Sequence, residues 1–478
     1  MNINLKEIDK GGHSTIYEDS DGYIYKTLSI ENFLDSLMEC HMYCQYNLSN
    51  NILNAELVNI STKIPIIPVY KMKKGITLVN HIKTIDTKEK YKIIVELYEI
   101  LQKLHQQNYY HGDIKPDNIV IINNKLYLID FSFSKFIPRI TSHTSVLNMG
   151  TDCYRPPERI FNDLNRLELE TVHPFKGDLW SFGVLCIYIL SGGKDLYDVF
   201  NNEKWKFDVN KDNTLYQCYI DIFKKINDNL NDYLIKEMNI DIAIIPKEVK
   251  LIIKNCLKVK SKSRKILYLY GQKLDITKKQ HFKERSLFII KEENENEEQN
   301  PLLNKPVINE YKQDINEFKY YKNRVKKNIP FYTWFSSMSI YGNCKLKKRI
   351  FFNSLELYYK VVYKKQLNIA KDIINKSIWY SCIFISYSLL DNSISIYKHI
   401  CDNFKDGKIL INYILDIVFL LKGKILYPSI YDYILSSYST SISNFLVDEI
   451  TKKIDLNNEY YISFRTVIEH NEFYSRYI

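Results

Sequence analysis

The chain has 478 residues, too many for one ordinary hydrophobic core, so we expect two domains. Hydrophobic residues make up 45% and charged residues 26%, a balance that is typical of a globular protein. The net charge of +10 comes from 66 basic and 56 acidic residues spread along the chain, and so diffuse an excess gives no reason to expect a nucleic-acid partner.

Cysteine usage and apolar patterning predict a cytoplasmic protein without membrane contact. The nine cysteines form no repeated C-x-x-C pair, and the one close pair, Cys40 and Cys44, is not followed by a second pair at zinc spacing. The N-terminus lacks an apolar signal core. The most apolar segments, 379–390 and 409–421, are interrupted by polar residues and predict buried helices. A nuclear or virion location stays open.

The first segment that could bind a ligand is 8–17, which contains the glycine pair Gly11 and Gly12. Backbone amides beside these glycines can approach a phosphate closely, although a simple surface hairpin is an equal alternative. The next strand is predicted to end at Lys26, and the helical pattern over 33–42 contains Glu39.

The next two segments predict a strand and a helix. Residues 64–75 have the composition of a strand that leads into a connection, and 91–105 carry apolar residues at helical spacing. After the helix, the apolar runs 119–122 and 126–129 flank Asn123-Asn124, the pattern of a β-hairpin. This hairpin would bring the residues at its open end close together.

The residues at that open end are rich in oxygen donors. The sequence HGDIKPDN at 111–118 supplies Asp113 and Asn118, and LIDFS at 128–132 supplies Asp130. Together with Lys115 they suit phosphoryl transfer, because that chemistry depends on positioning and on charge neutralisation. The alternative is that these acids are ordinary turn residues.

The spacing H-x-D-x-x-x-x-N followed by D-F-x resembles the eukaryotic protein kinase family. The resemblance implies that Asp113 orients the substrate hydroxyl and accepts its proton, while Lys115 steadies the transferred phosphate. It also implies that Asn118 and Asp130 hold Mg²⁺ as a cofactor beside ATP. Catalysis is favoured because all of these groups are retained together with Lys26.

The resemblance assigns a nucleotide pocket as well. Lys26 would contact the α and β phosphates, with Glu39 as its partner and Glu31 as the alternative. Val69 would limit the depth of the adenine pocket. The implied ATP-binding residues are Ile8, Gly11, Gly12, His13, Ser14, Ile16, Lys26, Glu39, Val69, Lys71 and Met72.

Four positions depart from the family pattern. In the glycine-rich loop only Gly11 is in register, with Asp9 and Ser14 at the outer glycine positions. Gly112 replaces an arginine that normally grips a phosphorylated activation loop, which suggests that loop phosphorylation is not the main switch here. Ser132 replaces the glycine after Asp-Phe. These departures leave a second hypothesis open, a nucleotide-binding pseudokinase that acts as a scaffold.

The segment after the catalytic loop indicates protein substrates and disfavours a small-molecule kinase. The sequence GTDCYRPPE at 150–158 resembles G-T-x-x-Y-x-A-P-E, and Thr151 with Lys115 is the combination of serine/threonine kinases. Tyr154-Arg155 resembles the cyclin-dependent and proline-directed branch. Further on, Asp178 begins a D-x-W-S-x-G motif, in which the family's acid anchors the catalytic loop, and Arg264 is placed to pair with Glu158.

The C-terminal third begins after an acidic stretch, 291–301, that predicts a flexible linker. The helical patterns beyond it include 382–391, which resembles the central cyclin-box pattern C-L-x-I-A-S-K-x-x-E with Ser388 in place of the lysine. An unrelated helical domain is the alternative. A cyclin-like domain could activate its own kinase lobe in cis, because a short linker raises the effective concentration.

We therefore predict an α+β chain, a two-lobed protein kinase fold followed by an all-α helical domain. The predicted boundaries are 1–275 for the kinase domain, with the lobes dividing near 72 and 73, then 276–304 for the linker and 305–478 for the helical domain.

Overall fold

The computed structural model describes a small β-sheet with its helices, a larger helical region below it, and four helices near the C-terminus. The described residues are 5–10, 14–44, 51–59, 68–136, 150–151, 154–158, 174–194, 240, 245–258, 261–264, 344–365, 372–390, 395–426 and 431. Within these ranges, no helix combines the length and the continuous apolar sequence that crossing a bilayer requires. The acidic stretch 291–301 and the loop residues Gly11, Gly12 and His13 lie outside the described ranges.

The N-terminal lobe is built on an antiparallel sheet of five strands in the order β1-β2-β3-β5-β4. The strands are β1 (Lys6–Lys10), β2 (Ser14–Glu18), β3 (Tyr23–Leu28), β4 (Ala55–Asn59) and β5 (Pro68–Lys73). A tight turn joins β2 to β3, where the Asp19 side chain accepts hydrogen bonds from the backbone N–H groups of Asp21 and Tyr23. Lys26 lies opposite Ile16 on one side and Tyr70 on the other, so its position is set by both neighbouring strands.

The helix predicted over 33–42 is interrupted in the structure. Helix α1 (Ile30–Asp35) begins with a Ser29 N-cap, and helix α2 (Leu37–Cys44) follows after a break at Ser36. Ser36 has φ −117° and ψ 35°, outside the helical range, and its hydroxyl bonds the carbonyl of Asn32. Every residue of α2 is buried. The N-terminal sheet packs on this helix from one side and the C-terminal helices pack on it from the other.

The C-terminal lobe places residues 111–118 and 128–132 around a short hairpin above a helical core. After β6 (Ile76–Thr77) and α3 (Leu78–His81), the long helix α4 (Thr87–Gln106) starts at an Asp86 N-cap and packs on α5 (Pro174–Leu190). Strands β8 (Ile119–Ile122) and β9 (Lys125–Leu128) confirm the predicted hairpin. Asn123 and Asn124 both have positive φ, 51° and 58°, as a two-residue turn of this hand requires.

Two further strands and one helix of this lobe lie in the described ranges. Strands β7 (Tyr109–Tyr110) and β10 (Lys135–Phe136) pair with each other, so the chain before the catalytic loop is joined to the chain after Asp130. Helix α6 (Lys247–Cys256) packs on α5.

Four C-terminal helices agree with the helical patterns of the sequence. They are α7 (Cys344–Lys364), α8 (Asp372–Leu390), α9 (Ile396–Asn403) and α10 (Gly407–Leu420), and α8 packs against the other three. The buried helix predicted at 409–421 is present and is buried on one side. Helix α10 buries Leu410 and Ile414, but Ile409 at its start is 55% exposed, because the helix is covered on one side only.

Candidate active site

An ion pair between strand β3 and helix α2 lies at the centre of the site. Lys26 Nζ is 2.6 Å from Glu39 Oε1 and 3.4 Å from Asp130 Oδ1. Glu31, the alternative partner, is exposed on α1, so Glu39 is the acid that the fold brings to Lys26. Burial alone would lower the pKa of Lys26, but the nearby carboxylates of Glu39 and Asp130 outweigh it and raise the pKa. Lys26 is therefore a stable cation facing the cleft.

The carboxylate of Asp113 is surrounded by donors. Its Oδ1 accepts hydrogen bonds from the backbone N–H and the hydroxyl of Thr151, each at 2.9 Å. Its Oδ2 lies 2.9 Å from Lys115 Nζ and 3.0 Å from Asn118 Nδ2. Lys115 Nζ also donates to the Thr151 hydroxyl at 2.8 Å. The carboxylate orientation is thus fixed from both sides, while Lys115 stays partly exposed at the edge of the cleft.

Asp178 holds the backbone of the catalytic loop from below. Its Oδ2 accepts hydrogen bonds from His111 N at 2.7 Å and from His105 Nε2 at 2.9 Å, and its Oδ1 accepts one from Gly112 N at 2.9 Å. Burial would raise the pKa of Asp178, but the hydrogen bonds and the nearby histidines lower it. The acid is therefore ionised, in the anchoring role that the sequence motif implies.

His111 connects the two catalytic segments. Its Nε2–H donates to the carbonyl of Ile129 at 3.1 Å, and its Nδ1 accepts from Asp113 N at 3.3 Å. Burial lowers the pKa of His111, which favours the neutral ring that this pattern of bonds requires. The ring also packs on Phe131, with 4.9 Å between the centroids.

Gly112 occupies a place that excludes a side chain. Its φ is +86°, and a Cβ atom added there would lie 2.7 Å from the carbonyl oxygen of Phe133. An arginine in the family position could not be accommodated without moving the segment that follows Asp130. The local backbone therefore suits the glycine at position 112 and excludes the arginine of the family pattern.

Asp130 is held in a left-handed conformation, with φ +61°. Its N–H donates to the Tyr43 hydroxyl at 2.8 Å, and its Oδ1 accepts from the Ser132 hydroxyl at 2.9 Å. Partial burial would raise the pKa of Asp130, but the charge of Lys26 and the Ser132 hydrogen bond lower it. The carboxylate is 36% exposed towards the cleft. Ser132 thus has a specific contact that the family glycine could not make.

Asn118 and Asp130 fit a magnesium ion by their chemistry. The side-chain amide nitrogen of Asn118 donates to Asp113, which leaves the side-chain carbonyl oxygen for a metal, while the backbone carbonyl of Asn118 accepts from Ile129 N at 3.0 Å. Hard oxygen donors in small number suit Mg²⁺, which takes its remaining ligands from water and phosphate. Among the described residues, no group of three or more His, Cys, Asp or Glu could hold a metal.

The remaining predicted ATP-binding residues occupy the sheet above these groups. Ile8 on β1 is 43% exposed, and Ser14 and Ile16 on β2 are half-buried. Val69 is fully buried on β5. Met72 is buried near the end of that strand, whereas Lys71 places its ammonium 4.5 Å from the ring centroid of Tyr23. The adenine contacts proposed for these residues stay predictions.

The ion pair predicted between Glu158 and Arg264 is present in the C-terminal lobe. Arg264 Nη1 and Nη2 donate to the two carboxylate oxygens of Glu158 at 2.6 and 2.8 Å. The guanidinium also lies over the Trp180 ring, 4.9 Å from its centroid. Residues 137–149, 152 and 153, in the predicted activation segment, lie outside the described ranges.

One residue that contacts the site was missed from the sequence. Tyr43 lies on α2 four residues after Glu39 and so projects from the same helix face. That spacing is the only signal the sequence offers, and it does not distinguish a packed ring from a ring whose hydroxyl has a partner.

Comparison with known proteins places the chain in a family. The family model described as protein kinase domain matches residues 16–267, just over half of the chain. The chain is similar to dual specificity protein kinase Ttk of Danio rerio, with 32% identity over 108 residues that cover 22% of the chain and 11% of the relative. It is also similar to Aurora kinase B of Danio rerio, with 33% identity over 112 residues that cover 23% of the chain and 32% of the relative.

A third relative is serine/threonine-protein kinase dkf-2 of Caenorhabditis briggsae, with 30% identity over 125 residues that cover 24% of the chain and 10% of the relative. In each of these comparisons the aligned part is a third or less of the relative's length. On the family match over residues 16–267 the chain belongs to the protein kinase family.

Proposed function

We propose that the chain is a serine/threonine protein kinase that transfers the γ-phosphoryl group of ATP to hydroxyl groups of proteins. The observation that carries the proposal is the set of donors around the Asp113 carboxylate, which Thr151, Lys115 and Asn118 all contact within 3.0 Å. A carboxylate whose orientation is fixed in this way can align a substrate hydroxyl and accept its proton.

The other charged groups complete the chemistry. Lys26, oriented by Glu39, would bind the phosphates of ATP, and Lys115 would stabilise negative charge on the phosphoryl group during transfer. Asn118 and Asp130 would hold Mg²⁺, which neutralises phosphate charge when bound. The contact of Lys115 with Thr151 supports serine and threonine as acceptors, since it is the pair that the resemblance assigns to this class.

The segment Tyr154-Arg155 supports a narrower proposal, that the enzyme prefers a proline after the acceptor residue, as the resemblance to the proline-directed branch implies. Phosphorylation of paired peptides that differ only in Ser-Pro against Ser-Ala tests this preference. Equal rates on both peptides would contradict it.

We further propose that the helical region acts as a cyclin-like regulator in cis. The first support is its contact with α1, the helix that leads into α2 and Glu39. The Ser388 hydroxyl at the end of α8 donates to Leu34 O at 2.7 Å. The Asp35 carboxylate accepts from Ile396 N at 2.8 Å and Tyr397 N at 3.3 Å, at the start of α9. Ser388 stands where the cyclin pattern has lysine, and it contacts the kinase itself.

The second support is contact with the segment after Asp130. Lys135 Nζ donates to Ser388 O at 2.8 Å, and the Arg349 guanidinium lies 4.3 Å from the ring centroid of Phe136. The same helices therefore contact both mobile parts of a kinase site, the glutamate helix and the start of the activation segment. This arrangement would hold the Lys26–Glu39 pair closed without a separate partner protein.

The kinase proposal is tested by incubating the full chain with radiolabelled ATP, Mg²⁺ and a generic basic protein. Asp113→Asn should lower label transfer by about 100-fold or more, because it removes the proton acceptor. Asp117→Asn is the matched control, since Asp117 is exposed in the same loop, and it should retain activity. Absence of transfer by the wild type would instead favour the pseudokinase scaffold.

A further inference from the structure

We propose that Tyr43 is a positioning residue, whose hydroxyl holds Asp130 in the orientation that Mg²⁺ and ATP require. The proposal rests on the function proposed above and adds to it a link between helix α2 and the metal-binding acid. Tyr43 itself would touch neither the nucleotide nor the substrate.

The contact is direct and well shielded. The Tyr43 hydroxyl accepts a 2.8 Å hydrogen bond from Asp130 N, and the Tyr43 side chain is only 2% exposed. The N–H group that it satisfies belongs to a residue with φ +61°, a left-handed conformation that is uncommon for residues other than glycine. A hydroxyl placed on that N–H therefore stabilises the backbone geometry that aims the carboxylate into the cleft.

Packing fixes the ring that presents the hydroxyl. Tyr43 meets Phe131 edge to face, with 5.8 Å between centroids and an interplanar angle of 87°. On its other side it meets Tyr70 of β5, with centroids 5.3 Å apart. The ring is thus held between the sheet and the residue that follows Asp130, so the hydroxyl is oriented before any ligand binds.

The hydroxyl also stays neutral. Burial raises the pKa of Tyr43 well above its ordinary value, and the carboxylates of Glu39 and Asp130 raise it further.

The position of Tyr43 on α2 couples its hydrogen bond with Asp130 to the ion pair between Glu39 and Lys26. Glu39 and Tyr43 lie one helical turn apart, the first pairing with Lys26 and the second with Asp130. A displacement of α2 away from the sheet would break both contacts together. The phosphate-binding cation and the metal-binding acid are thus placed by one rigid element, and α2 in turn packs on helix α8.

The test is Tyr43→Phe, which removes the hydroxyl and keeps the ring. Its matched control is Tyr70→Phe, because the buried Tyr70 hydroxyl in the same aromatic cluster faces the Cys40 thiol and not Asp130. For Tyr43→Phe we expect kcat to fall about three- to tenfold, the effect of losing one neutral hydrogen bond, and the Mg²⁺ concentration for half-maximal rate to rise by a similar factor. Tyr70→Phe should leave both quantities unchanged.

A second measurement separates this proposal from the kinase proposal. ATP-induced stabilisation against heat, titrated with Mg²⁺, reports metal-assisted nucleotide binding whether or not the chain transfers phosphate. If the wild type binds ATP without turnover, the kinase proposal fails, while a higher Mg²⁺ midpoint for Tyr43→Phe alone still supports the role of Tyr43. Wild-type Mg²⁺ dependence in Tyr43→Phe, or an equal shift in Tyr70→Phe, would overturn it.

Discussion

Lys135 Nζ donates a 2.8 Å hydrogen bond to the carbonyl of Ser388, which joins the strand after Asp130 to the C-terminal end of helix α8. The ammonium is buried, and the carbonyl belongs to the last turn of a helix, where cations are favoured. Gly112 has no side chain that could bind a phosphorylated activation loop. The hydrogen bond between Lys135 and Ser388 fixes the start of that segment through a charged group instead. The start of the activation segment is held by the chain's own helical region.

The first prediction concerns this anchor. Lys135→Met removes the charge and keeps an apolar stem, and it should lower kcat about tenfold, because a buried hydrogen bond of a charged group is worth about 1.5–3 kcal/mol. Lys92→Met is the control, since Lys92 is exposed on α4. The measurement is kcat before and after phosphatase treatment. Phosphatase should leave the wild type unchanged, and a fully active Lys135→Met variant would contradict the prediction.

The parts of the site that the sequence could predict are those formed by short stretches of chain. The hairpin that carries Asn118 and Asp130 was predictable because Asn123-Asn124 and the alternating apolar runs specify it locally. The resemblance to protein kinases then supplied the pairing of Lys26 with Glu39, which depends on the fold and not on local pattern.

Other features could not be predicted, because they depend on distant partners. The break at Ser36 and the burial of every residue in α2 follow from packing on both sides of that helix. The hydrogen bond from Ser388 to Leu34 joins residues 354 positions apart, and no spacing in the sequence predicts it. The role of Tyr43 is similar, since a buried tyrosine is usually only part of the core.

The second prediction concerns Gly112. Gly112→Ala should destabilise the protein by about 1–3 kcal/mol, because φ is +86° and the new Cβ would press on Phe133 O. It should also reduce kcat, since Asp113 is the next residue. Gly22→Ala separates the two causes, because Gly22 has φ +76° but open space around its Cβ position. Urea unfolding and turnover are measured for both variants, and equal losses of turnover in the two would refute the steric argument.

The third prediction concerns the ion pair between Arg264 and Glu158. A lysine cannot reproduce the two parallel hydrogen bonds, so Arg264→Lys should lower the free energy of unfolding by about 2–4 kcal/mol. Arg155→Lys is the comparison, because Arg155 is only half-buried and its Nε donates to a backbone carbonyl, Gly150 O, at 2.8 Å. Thermal unfolding of the full chain provides the measurement. A decrease in Tm no larger for Arg264→Lys than for Arg155→Lys would contradict a structural role of the paired hydrogen bonds between Arg264 and Glu158.

The fourth prediction concerns acid stability and Asp178. The pKa of Asp178 is lowered in the folded protein, so its contribution to stability is complete above its unfolded pKa, about 4, and disappears as the pH falls through the lower folded pKa. Asp178→Asn should therefore be less stable than the wild type at pH 7 and at pH 5 by the same amount. Below about pH 4 the difference should shrink, because the wild-type carboxyl then takes up a proton.

The measurement for Asp178 is urea unfolding at several pH values, followed by the fluorescence of the tryptophans, one of which, Trp180, lies two residues away on α5. Asp416→Asn on the exposed side of α10 is the control and should follow the wild type at every pH. A stability difference between wild type and Asp178→Asn that stays constant down to pH 2.5 would show that the variant loses packing or hydrogen bonds alone, and that ionisation of Asp178 does not contribute to the fold of the catalytic loop.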